Sequence, residues 1–391
     1  MPVRFSYPGV YVKEISSGIR PIEGTETAIT AFIGWSPTGP TQAAVPVGSY
    51  RDYENQFGGL HPESLLGYAV SHYFENGGKQ ALIIRIAEAK DGSRSALSPE
   101  DPAFAEILMD RGRGVHLLDQ VDLFNILCVP GLTDPGVLQK LQRFCARRRA
   151  FLIIDSRPAE TSASIATGSA SNLVCSHSMN AALYFPWVNA PDPLNRQQTA
   201  AFPPCGFIAG IIARTDASRG VWKAPAGVSA ILHGASGPAQ MLTDAENNQL
   251  NGLAVNCIRS FPSMGTLCWG GRTLHGQHSR GSEWQYVSVR RTALFLEESL
   301  IRGLKWVVFE GNDENLWRQV RLTVETFMDK LYRKGAFQGA KSGEAFFVNC
   351  DRTTMTQRDL DQGRLNLIIG FAPLKPAEFV ILKLSLKAAG N

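Results

Sequence analysis

Three groups of residues carry side chains able to do chemistry. The first is Asp155 with His233 and Ser236. Nucleophilic catalysis needs a serine beside a histidine base, and an aspartate that orients the base. Asp155 closes the apolar run Phe151-Leu152-Ile153-Ile154, a position suited to the acid. In His233-Gly234-Ala235-Ser236-Gly237, however, histidine and serine are too close in sequence. Gly-Ala-Ser-Gly is also not a Gly-x-Ser-x-Gly elbow. No working triad is expected, and no catalytic residue is assigned. The second group is His275-Gly276-Gln277-His278, which lies in a Gly-rich turn with no evident third ligand. A solvated loop is expected there, not a metal site. The third is Gly77-Gly78-Lys79. A phosphate-binding loop would open a helix and carry Ser or Thr where Gln80 stands. Here the glycines follow a helix, so they are expected to cap its end. No cofactor is expected.

The composition is that of a folded globular protein. The 391 residues are 44% apolar and 19% charged, with a formal net charge of +4. That length accommodates two or three domains with cores of their own. The small net charge, without a long Lys/Arg run, argues against a nucleic-acid binder. Arg147-Arg148-Arg149 reads as the cationic end of a helix. The cysteines number seven, with no Cys-x-x-Cys pair. Buried free thiols are expected rather than a disulfide framework or a zinc site. Met1–Ser6 lacks an apolar run, so no secretory signal is expected. Phe207–Ala213 is too short to span a bilayer.

The elements that must position these residues follow from periodicity and punctuation. Tyr7–Ile15 reads as a Pro-Gly turn and a short strand, and Thr27–Gly34 as a second strand. Ser49–Gly58 and Leu65–Phe74 read as helices, and Ala81–Ile86 as a buried strand. Lys90–Pro102 reads as a linker. Strands Asn125–Pro130, Phe151–Asp155 and Ala181–Val188 then alternate with a helix over Pro135–Arg149. That alternation predicts an α/β sheet with parallel pairs. Gly206–Arg214 is predicted helical. Farther on, strands are predicted over Trp284–Val289, Trp306–Glu310 and Ala345–Asn349. Helices are predicted over Val289–Leu304 and Glu314–Lys334. Val380, Leu382, Leu384 and Leu386 alternate with Ile381, Lys383, Ser385 and Lys387, which predicts a strand needing a sheet edge to join.

Several long motifs, in a fixed order, resemble contractile tail sheath proteins of bacteriophages and phage-tail-like injection systems. They are Pro8-Gly9-Val10-Tyr11-Val12-Lys13-Glu14, Phe74-Glu75-Asn76-Gly77-Gly78-Lys79, and Arg214-Thr215-Asp216 through Arg219-Gly220-Val221 to Lys223-Ala224-Pro225-Ala226. Two more are Arg259 to Leu274 and the run from Cys350-Asp351 through Gly363-Arg364-Leu365 to Ala372–Val380. Lys13 stands where an acid is common, and the chain is short for the family. The resemblance implies a subtilisin-like α/β sheet domain plus a C-terminal α+β sheath domain, with extended strand arms at both ends. It divides the chain into an N-terminal arm (1–20), the N-terminal part of the core (21–100), the subtilisin-like domain (101–258), the C-terminal sheath domain (259–377) and a C-terminal arm (378–391).

The function so implied is structural rather than catalytic. Hexameric rings would stack into a sleeve around an inner tube and contract to drive that tube through a target envelope. The partners implied are further copies of the chain, the inner tube protein, and baseplate and tail-terminator proteins. Neither nucleic acid nor membrane insertion is implied. Synthesis in the bacterial cytoplasm and assembly into a phage tail or phage-tail-like particle are implied too. The arms that would reach neighbouring subunits are Val10, Tyr11, Val12, Lys13, Glu14 and Ile15 at one end. At the other they are Phe379, Val380, Ile381, Leu382, Lys383, Leu384, Ser385 and Leu386. Arg318, Arg321, Lys330 and Arg333 are candidate contacts for acidic groups of the tube. The alternatives are a subtilisin-fold serine hydrolase and a monomeric α/β binding module.

Overall fold

The computed structural model describes residues 20–87, 96–277 and 282–378. The arm segments Val10–Ile15 and Phe379–Leu386 lie outside the described residues, as does His278. The chain divides into two compact units. The larger takes Gly24–Glu298 and the chain from Pro373; the smaller takes Ser299–Ala372 and the chain up to Glu23.

The described strands of the larger unit are β1 (Thr30–Trp35), β2 (Val45–Val47), β3 (Ala81–Ile86), β4 (Ile126–Cys128), β5 (Phe151–Asp155), β6 (Ala181–Phe185), β7 (Val188–Asp192), β8 (Gln198–Phe202), β9 (Gly237–Pro238), β10 (Val255–Phe261) and β11 (Gly265–Cys268). Eight form one sheet in the order β11-β10-β6-β5-β4-β1-β3-β2, and β8-β7-β9 form a small antiparallel sheet. The central pairs, from β3 through β1, β4, β5 and β6 to β10, are parallel. Only the outer strands β2 and β11 run antiparallel to their neighbours. The boundary expected between residues 258 and 259 falls inside β10.

The helices of this unit are α1 (Tyr50–Phe57), α2 (Leu65–Glu75), α3 (Pro102–Leu108), α4 (Pro135–Arg148), the single turn α5 (Ser162–Ser164), α6 (Cys205–Arg219), α7 (Asp244–Gly252) and α8 (Val287–Gly303), which continues past Glu298. They cover both faces of the sheet, which explains why its strands are continuous apolar runs. Alternate strand residues enter two cores. Ala31, Ile33 and Ile84 pack with Phe104, Leu138 and Leu141 of α3 and α4. Phe32, Ile83 and Ile153 pack with Tyr73, Phe207 and Ile211 of α2 and α6.

Helix ends follow the chemistry of their sequence. The Ser49 hydroxyl accepts the Asp52 N–H, and Gly58 closes α1 at φ 87°. Ser64 caps α2, which Asn76 ends. Asp134 accepts the Val137 N–H to open α4. Arg147 and Arg148 lie in its last turn, and Arg149 ends it in the left-handed region. All seven cysteines are free, and six are buried.

Three sequence expectations are corrected. Trp284–Val289 is not a strand, because α8 already begins at Val287. Val287, Ser288 and Val289 are all buried, so the short alternation did not mark one wet and one dry face. Trp306–Glu310 is not a strand either. A 3₁₀ turn spans Lys305–Val307, and Phe309 has φ 74°, incompatible with an extended run. Val308 and Phe309 are 62% and 104% exposed, so the apolar composition reported no burial. The run Ala181–Val188 is divided between two sheets: β6 stops at Phe185, Pro186 intervenes, and Val188 starts β7.

In the smaller unit, α9 (Glu314–Arg333) is opened by Asp313, whose side chain accepts the Leu316 N–H. The single turn α10 (Ser342–Ala345), β12 (Phe346–Asn349), α11 (Gln357–Asp361) and β13 (Ile368–Phe371) follow. β12 and β13 pair antiparallel, Phe346 opposite Phe371. Phe337 packs against both rings.

Candidate functional site

The residues first considered for catalysis are held apart. One carboxylate oxygen of Asp155 accepts the Gly131 N–H at 3.1 Å, and the other accepts the Cys205 N–H at 2.8 Å. The carboxylate thus ties the loop after β4 to the first turn of α6, which has no side-chain cap of its own. Burial pushes its pKa up to about 6, against those two N–H donors, which pull it down. His233 donates its backbone N–H to Asn76 Oδ1, and Ser236 donates its own to Asn189 O. Neither meets Asp155 among the described hydrogen bonds. Burial pushes the Cys257 and Cys268 thiols up to about 12, so they are not nucleophiles at neutral pH.

The Gly-Gly-Lys stretch closes α2, the Gly77 N–H donating to Phe74 O and the Gly78 N–H to Tyr73 O. Asn76 Nδ2 donates to His72 O and His233 O. Gly77 has φ 107°, and a Cβ there would come within 2.8 Å of the Arg214 Cβ. Arg214, from α6, donates to Asn76 O and Ile231 O.

Two arginines organise the larger unit. Arg291 of α8 makes a bidentate pair with Asp216 of α6, at 2.9 and 2.6 Å. Arg291 also donates to Thr27 O, and the Thr27 hydroxyl donates to Asp216. The two charged side chains are 3% and 5% exposed, so the pair joins α6, α8 and the approach to β1 away from water. Arg272 follows β11. Its backbone N–H donates to Asn256 Oδ1, and Nη1 to Asn251 O at 2.8 Å. Nε donates to Glu378 Oε1 at 2.9 Å, and Nη2 to Glu378 Oε2. The Tyr286 hydroxyl donates to the same carboxylate at 3.3 Å. Sequence reasoning placed Asp216, Arg272 and Glu378 in motifs without giving them roles. Partners 75 and 106 residues apart leave no spacing signal.

Arg318, Arg321, Lys330 and Arg333 all lie on α9, away from its buried stripe of Leu316, Val320, Val324, Phe327 and Leu331. Arg318 and Arg321 occupy its first half and Lys330 and Arg333 its last turn, about 18 Å apart at 1.5 Å per residue. Arg318 bonds to Asn315. Arg321 pairs with Glu325 at 3.9 Å, and Arg333 with Asp329 at 2.8 Å. The face is therefore mixed in charge, with two of its four cations paired along the helix.

No described helix is long and apolar enough to cross a membrane. The family model "Phage tail sheath protein central domain" matches residues 119–274, and "Phage tail sheath C-terminal domain" matches 279–387. A protein named as a prophage major tail sheath protein, from Pseudomonas aeruginosa strain UCBPP-PA14, is 27% identical over 311 residues. The match covers 76% of this chain and 75% of that one. Among solved structures, the contracted PVC sheath complex of an extracellular contractile injection system is similar at TM-score 0.79 and 28% identity, covering 98% of each chain. The helical sheath of the anti-feeding prophage, also contracted, is similar at TM-score 0.74 and 30% identity, covering 97% of this chain and 99% of that one.

Proposed function

The chain belongs to the phage tail sheath family, and from that we propose that it is a structural subunit of a contractile sheath. In this reading it polymerises as stacked hexameric rings around an inner tube and contracts to drive the tube through a target envelope. The carrying observation is similarity along nearly the whole chain to sheaths of contractile injection systems. Residues 101–258 would be the subtilisin-like domain, kept as scaffold. Val10–Ile15 and Phe379–Leu386 would be the arms that add strands to neighbouring copies, and the exposed face of α9 would meet the tube. Baseplate and terminator proteins would hold the two ends of the sleeve.

A head-to-tail interface that does not close gives a filament. Strand addition suits a moving one, because backbone hydrogen bonds ask little of side chains. Each nets about 0.5–1.5 kcal/mol, so several per arm keep copies joined while their bodies rotate. The hydrolase alternative is not favoured, since Asp155 is occupied by backbone N–H groups. Negative-stain electron microscopy of the purified protein, alone and with its tube protein, tests the reading. Striated hollow tubes are expected. Dispersed particles under both conditions would count against a sheath.

A further inference from the structure

The chain leaves the smaller unit at Ala372, whose N–H donates to Ala345 O and whose carbonyl accepts the Gln338 N–H. Residues 373–378 then belong to the larger unit. Apart from a single bridge residue at Pro373 they form no helix or strand, and Pro373 and Pro376 supply no N–H to a ladder. Among the described hydrogen bonds, their side-chain anchor is Glu378, held by both Nε and Nη2 of Arg272 and by Tyr286. The fork that receives it is itself fixed. Arg272 is held at its backbone by Asn256 and at Nη1 by Asn251 O, and it pairs across an isolated bridge with Tyr286. Asn256 in turn donates to Leu183 O and Arg272 O, tying the fork to β6 and β10. A cavity of about 650 Å³, lined by Asn248, Asn251, Arg272, Gln285, Tyr286 and Glu378, opens beside the pair.

We propose that Arg272 and Glu378 form a latch that fixes the root of the segment beginning at Phe379 on the larger unit, and that this latch is required for copies of the chain to join. The inference rests on the reading of Phe379–Leu386 as an inter-subunit arm. The physical ground is geometric. A bidentate arginine–carboxylate pair fixes direction as well as position. A segment whose root is already fixed loses less freedom on joining a neighbour than one whose root wanders. The open cavity beside the pair gives the carboxylate room to leave without disturbing the sheet.

The test uses the full chain with Glu378→Ala and Glu378→Gln. Glu298→Ala serves as the control, because it breaks the Arg149–Glu298 pair elsewhere in the same unit. Two readouts are taken. The first, independent of assembly, is tryptic cleavage after Lys383 in the monomer. It should accelerate at least tenfold in Glu378→Ala, less in Glu378→Gln, and not in Glu298→Ala. The second is the yield of sedimentable tubes with tube protein present. It should fall at least tenfold in Glu378→Ala, measured below the melting temperature of both variants, with the Glu298→Ala yield little changed. Unchanged cleavage in Glu378→Ala overturns the latch whatever the tubes do. Faster cleavage with an undiminished tube yield overturns its role in joining copies. If the unchanged chain itself makes no tubes, the sheath reading fails, and the cleavage result still decides whether the latch exists.

Discussion

Asp216 is the residue whose loss should be felt most in the monomer. It neutralises the nearly buried Arg291 and accepts the Thr27 hydroxyl. Asp216→Ala leaves that guanidinium buried and unpaired, which costs about 3–5 kcal/mol. Denaturant unfolding should show it as a lower midpoint, and a midpoint within error of the parent would refute the keystone role. Asp155 makes a different prediction. Its carboxyl is raised to about 6 from an ordinary value near 3.8, so the folded state binds the proton more tightly than the unfolded one. The stability linked to that proton is complete below the unfolded pKa and is lost as pH rises through the folded one. Glu246 runs the other way, lowered to about 2 by the Ser162 hydroxyl and then by Thr243. Comparison with Asp155→Asn removes that background. Relative to the Asn variant, the parent should be more stable at pH 4 than at pH 7 by about 2–3 kcal/mol. Melting curves of both proteins at the two pH values measure it, and a pH-independent difference would contradict the shift.

The helix α9 shows how far an element's role can be read from sequence. Its length and apolar stripe were legible, because Leu316, Val320, Val324, Phe327 and Leu331 recur at helical spacing over twenty residues. The parallel α/β sheet was legible for the same reason: mostly apolar strands of five or six residues alternate with long, well-capped helices. Short apolar runs were legible in part: Asn125–Pro130 and Ala345–Asn349 hold strands, whereas Trp284–Val289 and Trp306–Glu310 do not. Trp306–Glu310 has a strand's composition, but its backbone turns at Phe309, and nothing in composition reports that. The charge balance of α9 was half legible. The four cations were visible, whereas their pairing with Asn315, Glu325 and Asp329 depends on rotamers. Arg318→Glu with Arg333→Glu should therefore reduce co-sedimentation with tube protein severalfold while leaving sheath-only polymers intact. Equal tube binding by parent and variant would remove α9 from the tube interface. Exposed pairs of this kind are worth about 0–1 kcal/mol each, so the monomer should melt nearly as before.

At the scale of the whole molecule, two compact units share one chain that passes between them more than once. If the ends are arms, deleting Val10–Ile15 or Phe379–Leu386 should abolish ordered tubes and leave a folded monomer with an unchanged melting temperature. Size-exclusion chromatography and microscopy of each deletion check this, and ordered tubes from either would refute that arm. The Arg272–Glu378 pair also imposes an order in time. Arg272 lies just after the last strand of the sheet, but Glu378 is made 106 residues later, which at 5–20 residues per second is about 5–20 s of translation. Over that interval on the ribosome the sheet can close and the fork can be set while its carboxylate does not yet exist. A nascent chain can therefore set its fork on the closed sheet before the carboxylate it holds is made, so that, if the latch operates as proposed, the segment after Glu378 is aimed only once that sheet exists.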